Sequence, residues 1–251
     1  CALPICWELK PVAYVLGLTN LILHEMDIPD YHYMDSLKRE YNSIGKKDQV
    51  DVILANPPFG ASIADGVETN FPATYRCKES ADLFVILMLQ LLKPNGRCAI
   101  VLPDGSITGD GIKSRIREKL LTDTNLHTIV RLPQSTFFPA TVSTNLLFFE
   151  KGSKTKDIWY YEHKLPEGQK SYSKTKPIQF NEFQPIIDWW NKREENDQAW
   201  KINIKDLKNW DLDIKNPFVE EEEIEHSKTE LILAIQKSQD KISNLLKEIS
   251  Q

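Results

Sequence analysis

Val50-Asp51-Val52-Ile53-Leu54-Ala55-Asn56-Pro57-Pro58-Phe59-Gly60 is the stretch on which the fold turns. Five of its first six side chains are aliphatic, and the paired prolines lack the N–H that a ladder needs, so a strand over 50–55 ends at Asn56. Its apolar character runs on without alternating, which suggests a strand buried on both faces, as in parallel sheets. Downstream, the small and polar residues 60–80 read as a loop. Residues 81–92 form an apolar helix that stops at Lys93-Pro94-Asn95-Gly96. A strand over 98–102, a turn at Pro103-Asp104-Gly105, a helix over 112–121 and strands over 127–132 and 146–150 follow. Upstream, a buried strand over 3–7 leads to a helix opened by Pro11, with Val12, Val15, Leu16, Ile22 and Leu23 on one face, and a short strand follows over 31–34. Strands alternating with helices predict an open α/β sheet covered on both faces. Ligands of such sheets bind outside the carboxyl ends of the strands, where Glu8, Asp35, Asn56 and Asp104 all fall.

Past about residue 159 the texture changes. Trp189, Trp190, Trp200 and Trp210 stand among many charges, and a small, mostly helical module is expected over 159–219. The acidic run Glu220 to Glu223 suits a helix N-terminus. In the helix that follows, Ile235, Ile242 and Ile249 recur at heptad spacing, with Leu231 and Leu245 between them and Ser238 interrupting. Such a helix wants a partner, either another chain or its own domain.

The composition, 41% hydrophobic and 27% charged over 251 residues, excludes a disordered chain or a fibre. Its four cysteines lack metal-ligand spacing, and so do its five histidines, so no metal site is expected. No apolar run approaches membrane-spanning length and no leader pattern stands out, which together with reduced cysteines predicts a cytoplasmic protein. A net charge of -5 predicts weak affinity for a polyanion unless a partner or a local basic face supplies it.

Asn56-Pro57-Pro58-Phe59 suits one chemical problem, an amino nitrogen whose lone pair is delocalised into a ring. An amide oxygen and a neighbouring backbone carbonyl can accept both amino hydrogens and leave the nitrogen pyramidal and nucleophilic, while prolines keep the loop free of competing donors. Asn56, the Pro57 carbonyl and the stacking ring of Phe59 supply these parts in order. The alternative is an ordinary turn after a strand.

"DVILANPPFG" resembles the catalytic motif of DNA amino-group methyltransferases. "SADLFVILMLQLLKPNGRCAIVLPDGSI", "IREKLLTDTNLHTIVRLP", "FFPATVSTNLLFFEKG" and "WWNKREENDQAWKINIKDLKNWDLDIKNP" are similar, in order and spacing, to the modification subunit of type I restriction-modification systems. The resemblance implies transfer of a methyl group from S-adenosylmethionine to the N6 amino group of adenine in DNA, with the base rotated out of the duplex. It makes Asn56, Pro57, Pro58 and Phe59 catalytic, and places Glu8 on the cofactor ribose, Asp35 near the cofactor adenine and Asn56 beside the cofactor. Phe59, Asp82 and Phe84 would line the pocket for the target base. Residue by residue the alternatives stay open: a solvated carboxylate for Glu8, a helix N-cap for Asp35, a core side chain for Phe84, a turn former for Asp104. The charges of "GIKSRIREKLL" read as a solvated helix face. Expected partners are DNA, a specificity subunit held through the C-terminal helix, and a restriction subunit.

One part of the family pattern is absent. No Gly-X-Gly precedes Asn56, although a glycine-rich cofactor loop follows the first strand in this family. The expected fold is therefore a Rossmann-like methyltransferase sheet over 1–158 that lacks its first strand and glycine-rich loop, followed by the helical module and the contact helix over 220–251. The chain reads as a fragment of a longer subunit with an incomplete S-adenosylmethionine site. Two other functions compete: methyl transfer to a protein glutamine amide by the same fold, disfavoured by Phe59 in place of Tyr, and a catalytically inactive assembly module.

Overall fold

A computed structural model describes residues 4–219 and 228–249. The acidic run over 220–223 and the residues of the first expected strand before Pro4 lie outside the described residues. The chain forms two units, Cys1–Phe218 and Val219–Gln251. In the second, α6 (Lys228–Ile249) is a single helix on which Leu231, Ile235, Ile242 and Leu245 are exposed.

The first unit holds two sheets. In the smaller, β1 (Ile5–Glu8) pairs in parallel with β2 (Asp30–Tyr33), joined by α1 (Pro11–Leu23). Pro11 opens α1 where its missing N–H costs no hydrogen bond. The larger sheet holds β3 (Val50–Ala55), β4 (Leu92–Pro103), β5 (Thr124–Leu132), β6 (Thr144–Lys151), β7 (Asp157–Glu162) and β8 (Ala199–Asn203), in the order β3-β4-β6-β5-β7-β8. β3 is parallel to β4, β5 is parallel to β7, and β4 and β5 both run antiparallel to β6. β3, β4, β5 and β7 therefore point the same way, and the loops after them gather on one edge of the sheet.

Four helices flank these strands: α2 (Ser80–Leu91), α3 (Asp104–Ile107), α4 (Ile112–Asp123) and α5 (Gln184–Trp190). α2 is apolar almost all round, and ten of its twelve residues are buried, as such a helix requires. The expected stop at Lys93-Pro94-Asn95-Gly96 lies inside β4 as a bulge, where the register to β3 jumps from Val50↔Leu92 to Val52↔Arg97. A Cβ on Gly96 would meet Leu92 Cδ1 and the Lys93 carbonyl at 2.9 Å, so the bulge needs glycine there.

Four expectations need correcting. β3 is an edge strand with one bare face, Leu54 being 79% and Val52 50% exposed. Its unpaired edge, the remaining edge of β1 and the face of α1 carrying Val12 and Leu16 are all uncovered among the described residues, so a sequence patterned for the interior of a sheet stands at a surface. β1, read as buried, is exposed at Ile5 and half-buried beyond it for the same reason. The stretch 159–219 is not mainly helical: β7 and β8 extend the large sheet, and Trp200, stacked on Tyr160 at 5.3 Å, joins the main core. Ile158 and Tyr160 enter the main core while Trp159 and Tyr161 pack on a second cluster with Trp189, a strand period masked by nearby charge. Arg117 is no solvated residue: 3% exposed, it donates to the carbonyls of Thr108, Gly109 and Trp210 and ties α4 to both loops.

Candidate active site

The strand β3 delivers Asn56 to the loop-bearing edge of the sheet, where it is exposed, with Pro57 buried behind it and Phe59 half-buried. The loop that follows closes on itself. Ile63 N–H donates to the Lys78 carbonyl and Ser80 N–H to the Ala61 carbonyl, each at 3.2 Å. The Ser80 hydroxyl, at the start of α2, donates to the Pro58 carbonyl at 3.0 Å. The backbone after Asn56 is thus held from both sides. Among the described residues no hydrogen bond engages the Asn56 side chain or the Pro57 carbonyl, so both acceptors are unused.

Across from this loop stands a residue to which the sequence reading assigned no role. The ring of Phe137, in the loop after β5, lies edge-on to Phe59 with centroids 5.3 Å apart. Its signal was present in the sequence as the aromatic pair Phe137-Phe138 in an otherwise polar and small-residue connection between two strands. Ser80 was likewise unassigned.

Asp82 and Phe84 lie on α2, close in sequence to the Ser80 anchor, but both face inward. Asp82 is 2% exposed, with Lys113 Nζ 3.8 Å away, and burial raises its carboxyl above the usual range against the opposing pull of Ser106 and Lys113. Its Oδ2 has no hydrogen-bond partner. Phe84 packs on the main core. Glu8 and Asp35 come together on the small sheet: the Glu8↔Tyr33 register puts both just at or past its carboxyl end. Glu8 Oε1 accepts from the Lys10 N–H at 2.6 Å. Asp35 accepts from the Leu37 N–H at 3.0 Å and caps the 3-10 turn Ser36–Lys38, the capping alternative realised. No hydrogen bond among the described residues links this pair to Asn56.

Asp104 opens α3 at the end of β4, and its Oδ1 accepts from Asn145 Nδ2 at 2.8 Å. Both line a cavity of about 310 Å³ shared with Arg131, Glu162 and His163, and the Oδ1 of the fully buried Asn145 has no hydrogen-bond partner among the described residues. Asn56, Asp104 and this cavity share the edge at which parallel strands end.

A family model described as N-6 DNA methylase matches residues 6–227. The chain belongs to that family. The methylase subunit of the EcoEI type I restriction enzyme of Escherichia coli is 46% identical to this N-6 DNA methylase chain over 253 residues, covering 96% of it and 51% of the longer protein. A solved modification subunit assigned to a type I restriction enzyme of Vibrio vulnificus YJ016 superposes with a TM-score of 0.81 at 41% identity, over 85% of this chain and 48% of that one. A chain from a solved type I restriction-modification system matches with a TM-score of 0.79 at 32% identity, over 97% of this chain and 53% of that one. The N-6 DNA methylase chain thus spans about half the length of these relatives. No helix among its described residues is long and apolar enough to cross a membrane.

Proposed function

We propose that this chain carries the target-base half of an adenine-specific DNA methyltransferase, the modification subunit of a type I restriction-modification complex. The observation that carries the reading is the pairing of two unused acceptors, the Asn56 amide oxygen and the Pro57 carbonyl, with the edge-on rings of Phe59 and Phe137. A planar base with an exocyclic amino group meets both needs. The rings present a face for stacking, and the two oxygens accept the two amino hydrogens, so that the nitrogen lone pair leaves conjugation and points outward. The rings stand edge-on with centroids 5.3 Å apart, too close to admit a base between them, so the base stacks on one ring rather than between both. A base inside a duplex cannot reach these groups, and extrusion precedes chemistry.

The cofactor implied by the family, S-adenosylmethionine, supplies when bound a methyl group on a sulfonium. The residues present fit its nucleoside half. Glu8 keeps one carboxylate oxygen free for a ribose diol, and Asp35 sits beside it at the end of the small sheet. They do not fit the methionine half, because no glycine turn among these 251 residues approaches it from a strand before Asn56. The bare edges of β1 and β3 suggest that a strand from further chain seats between them and brings that turn. The work of Asn56, Pro57, Phe59 and Phe137 is positioning, with no covalent intermediate. The apolar row Leu231, Ile235, Ile242 and Leu245 on α6 suits a helix of the specificity subunit, and a restriction subunit would complete the assembly.

The test is methyl transfer to duplex DNA by the full-length subunit with its specificity partner. Asn56→Ala is expected to lower kcat by about 100-fold or more, since it removes an acceptor used in the transition state. An unchanged rate removes the assignment. Methyl label recovered in protein glutamine rather than as N6-methyladenine transfers the reading to the glutamine alternative.

A further inference from the structure

The loop after β7, on the edge that carries Asn56, is basic. Residues 164–176 hold Lys164, Lys170, Lys174 and Lys176 against a single acid, Glu167, in a chain whose net charge is -5. All four lysines are exposed. Lys164 pairs with Asp197 at 2.8 Å, whereas Lys170, Lys174 and Lys176 have no ion pair among the described residues. Three positive charges without partners repel one another, so their collection in one loop has an electrostatic cost that a polyanion would offset.

The loop is also bolted to the stacking site. Tyr172, only 2% exposed, is its anchor: the backbone N–H donates to Ser135 Oγ at 2.7 Å, and the hydroxyl donates to Glu182 at 2.6 Å with His163 Nε2 3.1 Å away. Ser135 lies two residues before Phe137. Thr136, Phe138 and Pro139 on one side and Tyr172, Ser173, Lys174 and Pro177 on the other enclose an open cavity of about 430 Å³. The segment that bears Phe137 and the segment that bears the lysines thus share a wall.

We infer that Lys170, Lys174 and Lys176 form a clamp for the backbone phosphates of DNA beside the extruded nucleotide. This rests on the reading of Phe59 and Phe137 as the base site. An extruded base leaves its flanking phosphates close to the pocket mouth, and a rigidly tethered cationic loop there holds the strand in register while carrying no sequence information. The clamp also resolves the conflict between an acidic chain and a DNA substrate, because the positive charge is concentrated where the strand must stay.

The experiment uses the full-length subunit with its specificity partner and measures duplex DNA affinity by fluorescence anisotropy across a range of salt. The variant Lys170→Ala/Lys174→Ala/Lys176→Ala is expected to bind about tenfold more weakly at physiological salt and to flatten the slope of log K against log salt by roughly three. Arginine at the same three positions restores the slope. Lys46→Ala/Lys47→Ala, which alters charges at the opposite end of the sheet just before β3, leaves it unaltered. A triple alanine variant with the parent slope, or an arginine variant that fails to restore it, overturns the clamp. Methylation of DNA with the parent slope retained in the triple alanine variant removes the clamp alone. A flattened slope in a complex that transfers no methyl group to adenine keeps the clamp and removes the catalytic reading.

Discussion

The Ser80 hydroxyl donates to the Pro58 carbonyl across 3.0 Å, joining the first residue of α2 to the second proline of the pair. Pro58 is exposed, so water can replace that donor and Ser80→Ala is expected to cost only about 1 kcal/mol of stability. The same change frees the backbone that aims the Pro57 carbonyl, and kcat is expected to fall about tenfold with little change in DNA affinity. Methylation kinetics beside a thermal melt separate the two effects. A loss of kcat no larger than the loss of folded fraction would show that Ser80 is structural only.

The proline pair shows how far sequence could be read here. A strand ending at 55, the loop after it and an apolar helix, expected from 81 and found from 80, follow from local patterns that packing reinforces. The roles proposed for Asn56 and Phe59 can be argued from sequence because their chemistry lies within four consecutive residues. Phe137 was not legible, because it meets Phe59 only when the carboxyl ends of β3 and β5 share an edge, a relation across two intervening strands. Arg117 misled for a similar reason. An arginine in a charged helix looks solvated until the carbonyls of Thr108, Gly109 and Trp210 close around it. β7 and β8 were hidden by charge density, which dominates composition while alternate residues enter the core.

Arg117 carries a prediction of its own. Arg117→Met keeps the apolar stem and removes every donor, leaving four carbonyls, those of Ser106, Thr108, Gly109 and Trp210, without their partner. A loss of about 3 kcal/mol is expected. For a chain of this size that lowers Tm by roughly 6–12 °C. Lysine does not rescue, since a single ammonium cannot span carbonyls that the planar guanidinium reaches together. A melt of Arg117→Lys equal to the parent would contradict the cross-link.

His127 sets an acid limit. Burial, aided by the neighbouring Arg193 guanidinium, pushes its imidazole from 6.5 down to about 4. The ring sits edge-on to Trp190, with Arg193 stacked over the same indole. The folded state therefore binds the proton less readily than the unfolded chain, and the contribution of neutral His127 is fully present above pH 6.5 and lost as pH falls toward 4. Burial lowers His163 as well, with the same sign. Tm is expected to decline more steeply between pH 6.5 and 4 in the parent than in His127→Gln. Parallel declines would remove His127 as the cause.

Leu54 distinguishes the two settings in which β3 can exist. Its side chain is 79% exposed on an edge strand whose outer edge is unpaired, a combination that invites association with other chains. In the 251-residue chain Leu54→Lys is expected to change stability by less than about 0.5 kcal/mol, since it removes no contact, and to raise the concentration at which the chain associates. In the full-length subunit, where a further strand and its covering elements are proposed to seat against β3, the same lysine would be forced into an apolar layer and cost about 2 kcal/mol or more. Sedimentation of the short chain and thermal melts of both forms decide the matter. A neutral effect in both forms would mean that the bare face of β3 stays bare, and with it would go the proposal that the missing turn of the cofactor site enters between β1 and β3.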